Sequence, residues 1–281
     1  MFDYVTLYKL HEYDMLKRIK HEVNNAINNA FEKIAANDNT AFILLIGRAD
    51  VMHGLAKHAK SDCVIDNHLD LYLDDTRTNF YLRYMNRNYK KNGFRYEGDN
   101  GLDDLSIEMM IYTHVWESEY FLKTLVRLAG ILNDKGYIWE PEIDSHGKWD
   151  FMKENVIQPI EPSCPELANI IQKAYSSDIR NAFAHSLYNI DPQRRNIHIR
   201  PKRGNQTFSF EAFQEKFLYS VILMNSLLNA IEQYHAEAAL LNNALTPVFL
   251  TPDGVNVQVF ARMDCIKGKQ YPRYFLNRII Q

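Results

Sequence analysis

The segment from Ser163 to Tyr188 reads SCPELANIIQKAYSSDIRNAFAHSLY, and it joins a helix start to an apolar stripe and a polar cluster. Ser163 followed by Pro165 and Glu166 is typical of a helix N-terminus, with the serine as N-cap and the proline in the first turn. The apolar positions at helical spacing are Leu167, Ile170, Ile171, Ala174 and Ile179. The segment therefore predicts an amphipathic helix that continues into the polar cluster.

Helical periodicity also dominates on both sides of this segment. Apolar residues at spacings of three and four predict long helices across residues 16–34, 105–132 and 213–234. A further helix is expected to start at Thr40 as its N-cap. Residues 134–149, which contain Gly136, Pro141 and Gly147 in the same stretch, are expected to form a loop.

Alternating patterns predict two small hairpins. Residues 196–200 and 206–210 alternate around a Pro-Lys-Arg-Gly turn, and residues 248–250 and 255–260 flank a Thr-Pro-Asp-Gly turn. The predicted fold class is therefore mainly α: a helical bundle with an N-terminal helical extension and small β-hairpin ornaments.

Composition and local signals exclude several classes of protein. Apolar residues make up 46% of the 281 residues, as in an ordinary globular protein, and no apolar run is long enough to span a membrane. The N-terminus lacks a signal-peptide pattern, and the three cysteines have no paired or metal-ligand spacing. We therefore expect a cytoplasmic protein that has no membrane association and needs neither a cofactor nor a metal site.

Charge is strongly segregated, although the net charge is only −3. Residues 76–96 hold six Lys or Arg interleaved with six aromatic residues and no acid, whereas residues 97–121 hold seven acids and no Lys or Arg. The basic stretches permit RNA as a partner, with a solvated surface as the alternative. The residues expected to contact RNA are Arg83, Arg87, Lys90, Lys91, Arg194 and Arg195.

The inversion of charge suggests a soft domain boundary near residue 100. Residues 1–100 are then an N-terminal helical region, residues 101–245 the helical bundle, and residues 246–281 a C-terminal β-hairpin and tail.

The polar cluster Arg180-Asn181-Ala-Phe-Ala-His185 is the strongest candidate for chemistry. On a continuous helix Asn181 and His185 share a face, and the long side chain of Arg180 can reach the same cleft. Together these residues supply a base near neutral pH, a planar cation suited to phosphate and an orienting amide.

This cluster resembles the motif of the HEPN superfamily, in which four to six residues separate an Arg from a His and a polar residue commonly follows the Arg. The resemblance covers about residues 101–245. It implies a bundle of four or five helices, a metal-independent endoribonuclease of the toxin or phage-defence kind, and a homodimer. An antitoxin or defence-system protein is a further expected partner.

Arg180, Asn181 and His185 match the motif residue by residue and are the expected catalytic residues. Glu119, at the edge of the apolar stripe of its helix, is an expected supporting residue, and Tyr188 is expected either to stack on a base or to pack. The alternative function is a non-catalytic HEPN adaptor, or a regulatory module that binds nucleotide or RNA. Burial of Arg180 and His185 against Glu119 would favour that alternative.

Overall fold

The computed structural model describes residues 4–46, 99–138, 141–143, 148–200, 204–241, 248–250, 256–266 and 269–278. Helices dominate these residues, and two small antiparallel sheets accompany them. The predicted fold class, mainly α with small β ornaments, is confirmed.

The described part of the chain contains nine α-helices and one π-helical turn. Their bounds are α1 Tyr4–Asn37, α2 Asn39–Ile46, α3 Asp99–Glu117, α4 Glu119–Leu132, α5 Lys148–Met152, a π-helical turn Lys153–Ile157, α6 Gln158–Ile160, α7 Pro165–Ala174, α8 Ser177–Ala184 and α9 Phe210–Leu241.

The core forms around α9, which packs against α1, α3 and α7. Helix α9 buries side chains on more than one side, including Phe213, Phe217, Tyr219 and Leu223, as expected for a helix enclosed by others. The stripe predicted on α1 is buried from Ile19 to Ile34, and Phe31 of that stripe stacks on Tyr234 at 5.2 Å between ring centroids. The long helices predicted across 16–34 and 213–234 are thus confirmed.

The long helix predicted across 105–132 is divided in two. Helix α3 ends at Glu117, and the hydroxyl of Ser118 accepts a hydrogen bond from the backbone N–H of Phe121 at the start of α4. The apolar stripe continues across the break because both helices face the same core, so periodicity alone predicted one helix.

The helix predicted from Ser163 through Ile179 is also wrong in two respects. The hydroxyl of Ser163 donates to the carbonyl of Leu132 at 2.8 Å, and Cys164 occupies the N-cap position of α7 without a capping side-chain bond. Helix α7 ends at Ala174, and Tyr175 has an extended backbone. The polar cluster therefore lies on a separate short helix, α8.

Two local expectations need smaller corrections. Thr40 lies inside α2, and the carboxylate of Asp38 caps that helix by accepting from the N–H of Ala41 at 2.9 Å. Residues 134–149 are not wholly a loop, because α5 already starts at Lys148.

Both predicted hairpins are present, each with a third strand. Strands β1 Tyr188–Asp191, β2 Asn196–Ile199 and β3 Gln206–Ser209 form one antiparallel sheet in that order, and the buried Ile197 and Ile199 join β2 to the core. Strands β4 Val248–Leu250, β5 Asn256–Ile266 and β6 Lys269–Arg278 form the other. Within the described part of the chain, no helix is long and apolar enough to cross a bilayer.

Candidate functional site

Helix α8 carries the polar cluster on the outside of the bundle. The hydroxyl of Ser176 accepts from the N–H of Ile179 at the helix start, where Asp178 also complements the helix dipole. Ile179 and Ala182 are buried on the inner face of α8. The helix packs against α3 and β2, and Gln206 donates to the carboxylate of Asp178 at 2.8 Å. The small sheet therefore helps to fix α8 in place.

His185 caps the C-terminus of α8 and its side chain is exposed. Its N–H still bonds to the carbonyl of Asn181 at 3.0 Å, but its φ of −109° and ψ of 10° are no longer helical. The prediction of one continuous helix through Asn181 and His185 is thus wrong by one residue, because the helix ends at Ala184. Asn181 lies in the last turn, and His185 is the first residue beyond the helix.

The chain leaves α8 through a Schellman turn. The N–H of Leu187 bonds to the carbonyl of Ala182 at 2.7 Å, and the N–H of Ser186 bonds to that of Phe183 at 3.1 Å. Ser186 has a φ of 55°, in the left-handed region where glycine is usual. This turn fixes the backbone directly after His185.

Arg180 is mostly buried, with its side chain 12% exposed. One terminal nitrogen of its guanidinium donates to the carboxylate of Glu117, and the other donates to the side-chain oxygen of Asn181. Glu117 is the last residue of α3 and its side chain is 41% exposed. The structure thus joins Arg180 and Asn181 directly and adds an acid from a neighbouring helix.

Glu119, the residue expected to support the cleft, is not the acid that pairs with Arg180. Its carboxylate forms an ion pair with Lys123 one turn further along α4, at 2.8 Å. Glu117, at the end of α3, is the residue whose carboxylate accepts from Arg180. Glu117 is therefore the acid at the site.

Tyr188 packs, which was one of its two expected roles. Its ring stacks on that of Phe183 with 5.6 Å between centroids and an angle of 25° between the planes. The contact joins the start of β1 to the last turn of α8.

Tyr175 is a site residue that the sequence reasoning missed. Its side chain is 2% exposed, and its ring stacks on Trp149 at 5.9 Å and contacts Trp116 in a T-shaped arrangement at 4.9 Å, both measured between ring centroids. Burial raises the pKa of Tyr175 to about 12, although the charge of Arg180 opposes this. The pair Ser176 and Asp178, a helix-start signal, was the feature that could have separated Tyr175 from α8.

Of the residues expected to contact RNA, the structure describes only Arg194 and Arg195. Arg194 is exposed, with a long ion pair of 3.9 Å to Asp191, whereas Arg195 pairs with Glu211 at 3.0 Å and lies over the ring of Phe210. Arg195 is thus engaged in fixing the start of α9. Arg83, Arg87, Lys90 and Lys91 lie outside the described residues.

Comparisons of this chain with protein-family models, with curated proteins and with solved structures find no match. In the part of the chain that the structure describes, no three His, Cys, Asp or Glu side chains are grouped as metal ligands. The arrangement available for chemistry is an exposed imidazole beside a short helix that presents an arginine, an amide and a nearby carboxylate.

Proposed function

We propose that this protein is an endoribonuclease that cleaves RNA through the 2′-hydroxyl of its substrate. The reaction needs a base at the 2′-oxygen, an acid at the 5′ leaving oxygen and positive charge on the pentavalent phosphorane. The products are a 2′,3′-cyclic phosphate and a 5′-hydroxyl. Because the nucleophile belongs to the substrate, this chemistry needs no metal-activated water.

Each member of the cluster has a role in this proposal. His185 transfers protons, since an imidazole gains and loses a proton near neutral pH. Arg180 stabilises the charge on the phosphorane with its planar set of N–H donors. Asn181 orients the guanidinium through the hydrogen bond between their side chains.

The proposed active form is a homodimer. A single histidine cannot act as base and acid on opposite sides of an in-line displacement. Two copies of α8 facing each other across a two-fold axis would supply two histidines and two arginines to one composite cleft. The resemblance to the HEPN superfamily supports the same arrangement and a toxin or phage-defence role in the cytoplasm.

The exposure of His185 beside the bonded Arg180–Asn181 pair is the observation that carries this proposal. An exposed imidazole is accessible to a substrate, which a histidine buried in the core is not. The fixed Schellman turn after His185 holds its backbone in place while its side chain stays accessible.

The ion pair between Arg180 and Glu117 favours a second candidate function. In a non-catalytic adaptor of the HEPN type, this pair would tie α8 to α3 and the same surface would bind nucleotide, RNA or protein. That function requires Arg180 for stability and does not require His185.

The deciding experiment is incubation of the full chain with total RNA in the presence of EDTA, with His185→Ala as the matched variant. We expect the wild type to produce fragments ending in 2′,3′-cyclic phosphate and the variant to produce almost none. Substrates with 2′-deoxy at the scissile position should resist cleavage. Loss of activity in EDTA, or equal cleavage of DNA, would exclude the 2′-hydroxyl mechanism.

A further inference from the structure

Two polar atoms close to the Arg180–Glu117 pair lack hydrogen-bond partners. The hydroxyl of Tyr175 and the Nε of Arg180 are both buried, and neither has an acceptor among the described residues. Buried donors are nearly always satisfied in native proteins, and leaving one unsatisfied costs stability. A bound group that accepts hydrogen bonds would satisfy both donors.

The Tyr175 ring is held rigidly by its neighbours. Trp149 is stacked nearly parallel to it, at an angle of 5°, and Trp116 contacts it in a T-shaped arrangement. The indole N–H of Trp116 donates in turn to the hydroxyl of Ser220 at 2.9 Å. The phenol is therefore a fixed donor, and its raised pKa keeps it protonated at physiological pH.

Arg180 is the positive group at this place, and an anion must compete there with the carboxylates of Glu117 and Asp178. Arg180, Glu117 and Asp178 all lie near enough for their charges to act on the Tyr175 hydroxyl. Only Arg180 is positive, and it already holds one carboxylate, that of Glu117. An acceptor-only group such as a phosphate oxygen would satisfy both unpaired donors and the guanidinium together.

Glu117 is well placed to leave the guanidinium. It is the last residue of α3, where the negative end of the helix dipole disfavours a carboxylate. Its side chain is 41% exposed, so water can solvate the carboxylate once it is displaced. Glu117 thus holds the guanidinium in the resting protein, and an anion that reaches the two buried donors must displace it.

We propose that Arg180 and Tyr175 form a subsite for a backbone phosphodiester and that Glu117 occupies this subsite until RNA displaces it. Tyr175 is then a positioning residue for substrate, and Glu117 sets the affinity of the resting protein. The choice of RNA as ligand rests on the proposed function, whereas phosphate binding at this place does not require cleavage.

The test is the binding of a fluorescently labelled RNA oligonucleotide with 2′-methoxy groups throughout, which cannot be cleaved. We expect Glu117→Gln to tighten binding about fivefold and Tyr175→Phe to weaken it about tenfold, as for a hydrogen bond to a charged group. Tyr175→Phe should leave the melting temperature unchanged or raise it, because the hydroxyl removed has no partner among the described residues.

Tyr112→Phe is the matched control. Its hydroxyl is buried nearby and donates to the carbonyl of Ala174 at 2.9 Å, so its loss should lower the melting temperature and leave RNA affinity unchanged. Unchanged affinity in both Glu117→Gln and Tyr175→Phe would overturn the subsite, even if the wild type cleaves RNA. The expected affinity changes in a protein that cleaves no unmodified RNA would uphold the subsite and reject the nuclease.

Discussion

At the scale of single residues, Arg180 and His185 differ in burial but share a predicted consequence when changed. His185→Ala removes an exposed side chain and should alter the free energy of unfolding by no more than about 0.5 kcal/mol. RNA cleavage should fall by about 100-fold or more with the loss of proton transfer. Arg180→Lys keeps a positive charge but loses the planar contact to phosphate, so it should also be nearly inactive.

The measurement is a thermal melt beside an RNA cleavage assay on the same preparations. Arg180→Ala should remain folded, because the carboxylate of Glu117 that it leaves behind is 41% exposed and stays hydrated. A fully buried ion pair would instead cost about 3–5 kcal/mol when one partner is removed. Early melting of Arg180→Ala, or full activity of either alanine variant, would contradict the nuclease.

Ser186 offers a prediction about stability next to the site. A left-handed backbone costs a residue with a Cβ about 1–2 kcal/mol, and glycine avoids this cost. Glycine also lowers the free energy of unfolding by about 0.4–1 kcal/mol, because it gives the unfolded chain more conformational freedom. With a φ of 55° at this position, Ser186→Gly should raise the melting temperature slightly, by about 2 °C. The β-branched Ser186→Val should lower it, and a calorimetric comparison of both variants checks the sign.

Motif spacing identified Arg180, Asn181 and His185 from the sequence, but not the residues that complete their surroundings. Glu117 and Glu119 are two positions apart, and Glu117 meets Arg180 whereas Glu119 pairs with Lys123. That choice depends on how α3 and α4 pack in three dimensions. Periodicity within one segment carries no information about such packing.

At the scale of elements, the sequence predicted long helices well and their interruptions poorly. Leu105 to Leu132 and Leu167 to Ile179 each keep one apolar stripe, because the shorter helices on either side of a break bury the same face. The N-cap serines Ser118 and Ser176 mark where the second helix of each pair begins. Strand β1 was missed because Tyr188 to Asp191 is too short to show a convincing alternation.

A polar network ties three of these helices together and should make stability depend on pH. Glu22 of α1 accepts from Lys173 of α7 at 2.8 Å and from the hydroxyl of Tyr219 of α9 at 2.7 Å. Burial alone would raise the pKa of Glu22, but these hydrogen bonds outweigh it and hold the pKa below the ordinary value of 4.5. The network therefore stabilises the fold above that pH and is lost as the pH falls through the lowered pKa.

Melting temperatures measured between about pH 7 and pH 3 test this sign. Glu22→Gln should lower the melting temperature at neutral pH and flatten its fall in acid. Glu237→Gln, which changes an exposed carboxylate further along α9, is the control and should follow the wild-type curve. A Glu22→Gln curve parallel to the wild type would show that the network does not govern acid stability.

At the scale of the whole molecule, the proposed composite cleft predicts how mixed dimers behave. If one His185 acts as base and the partner copy's as acid, a dimer with one wild-type and one His185→Ala subunit is inactive. Activity should then follow the square of the wild-type fraction, so an equal mixture after subunit exchange retains about one quarter of the activity per total protein. If each subunit acts alone, the same mixture retains about one half.

The two subunits are exchanged at fixed total concentration, and dimer formation is checked by sedimentation. Wild type mixed with Ser186→Gly, which keeps both histidines, supplies the reference for full exchange without loss of the site. A linear dependence in the His185→Ala mixtures would reject the composite cleft while leaving cleavage by single subunits intact.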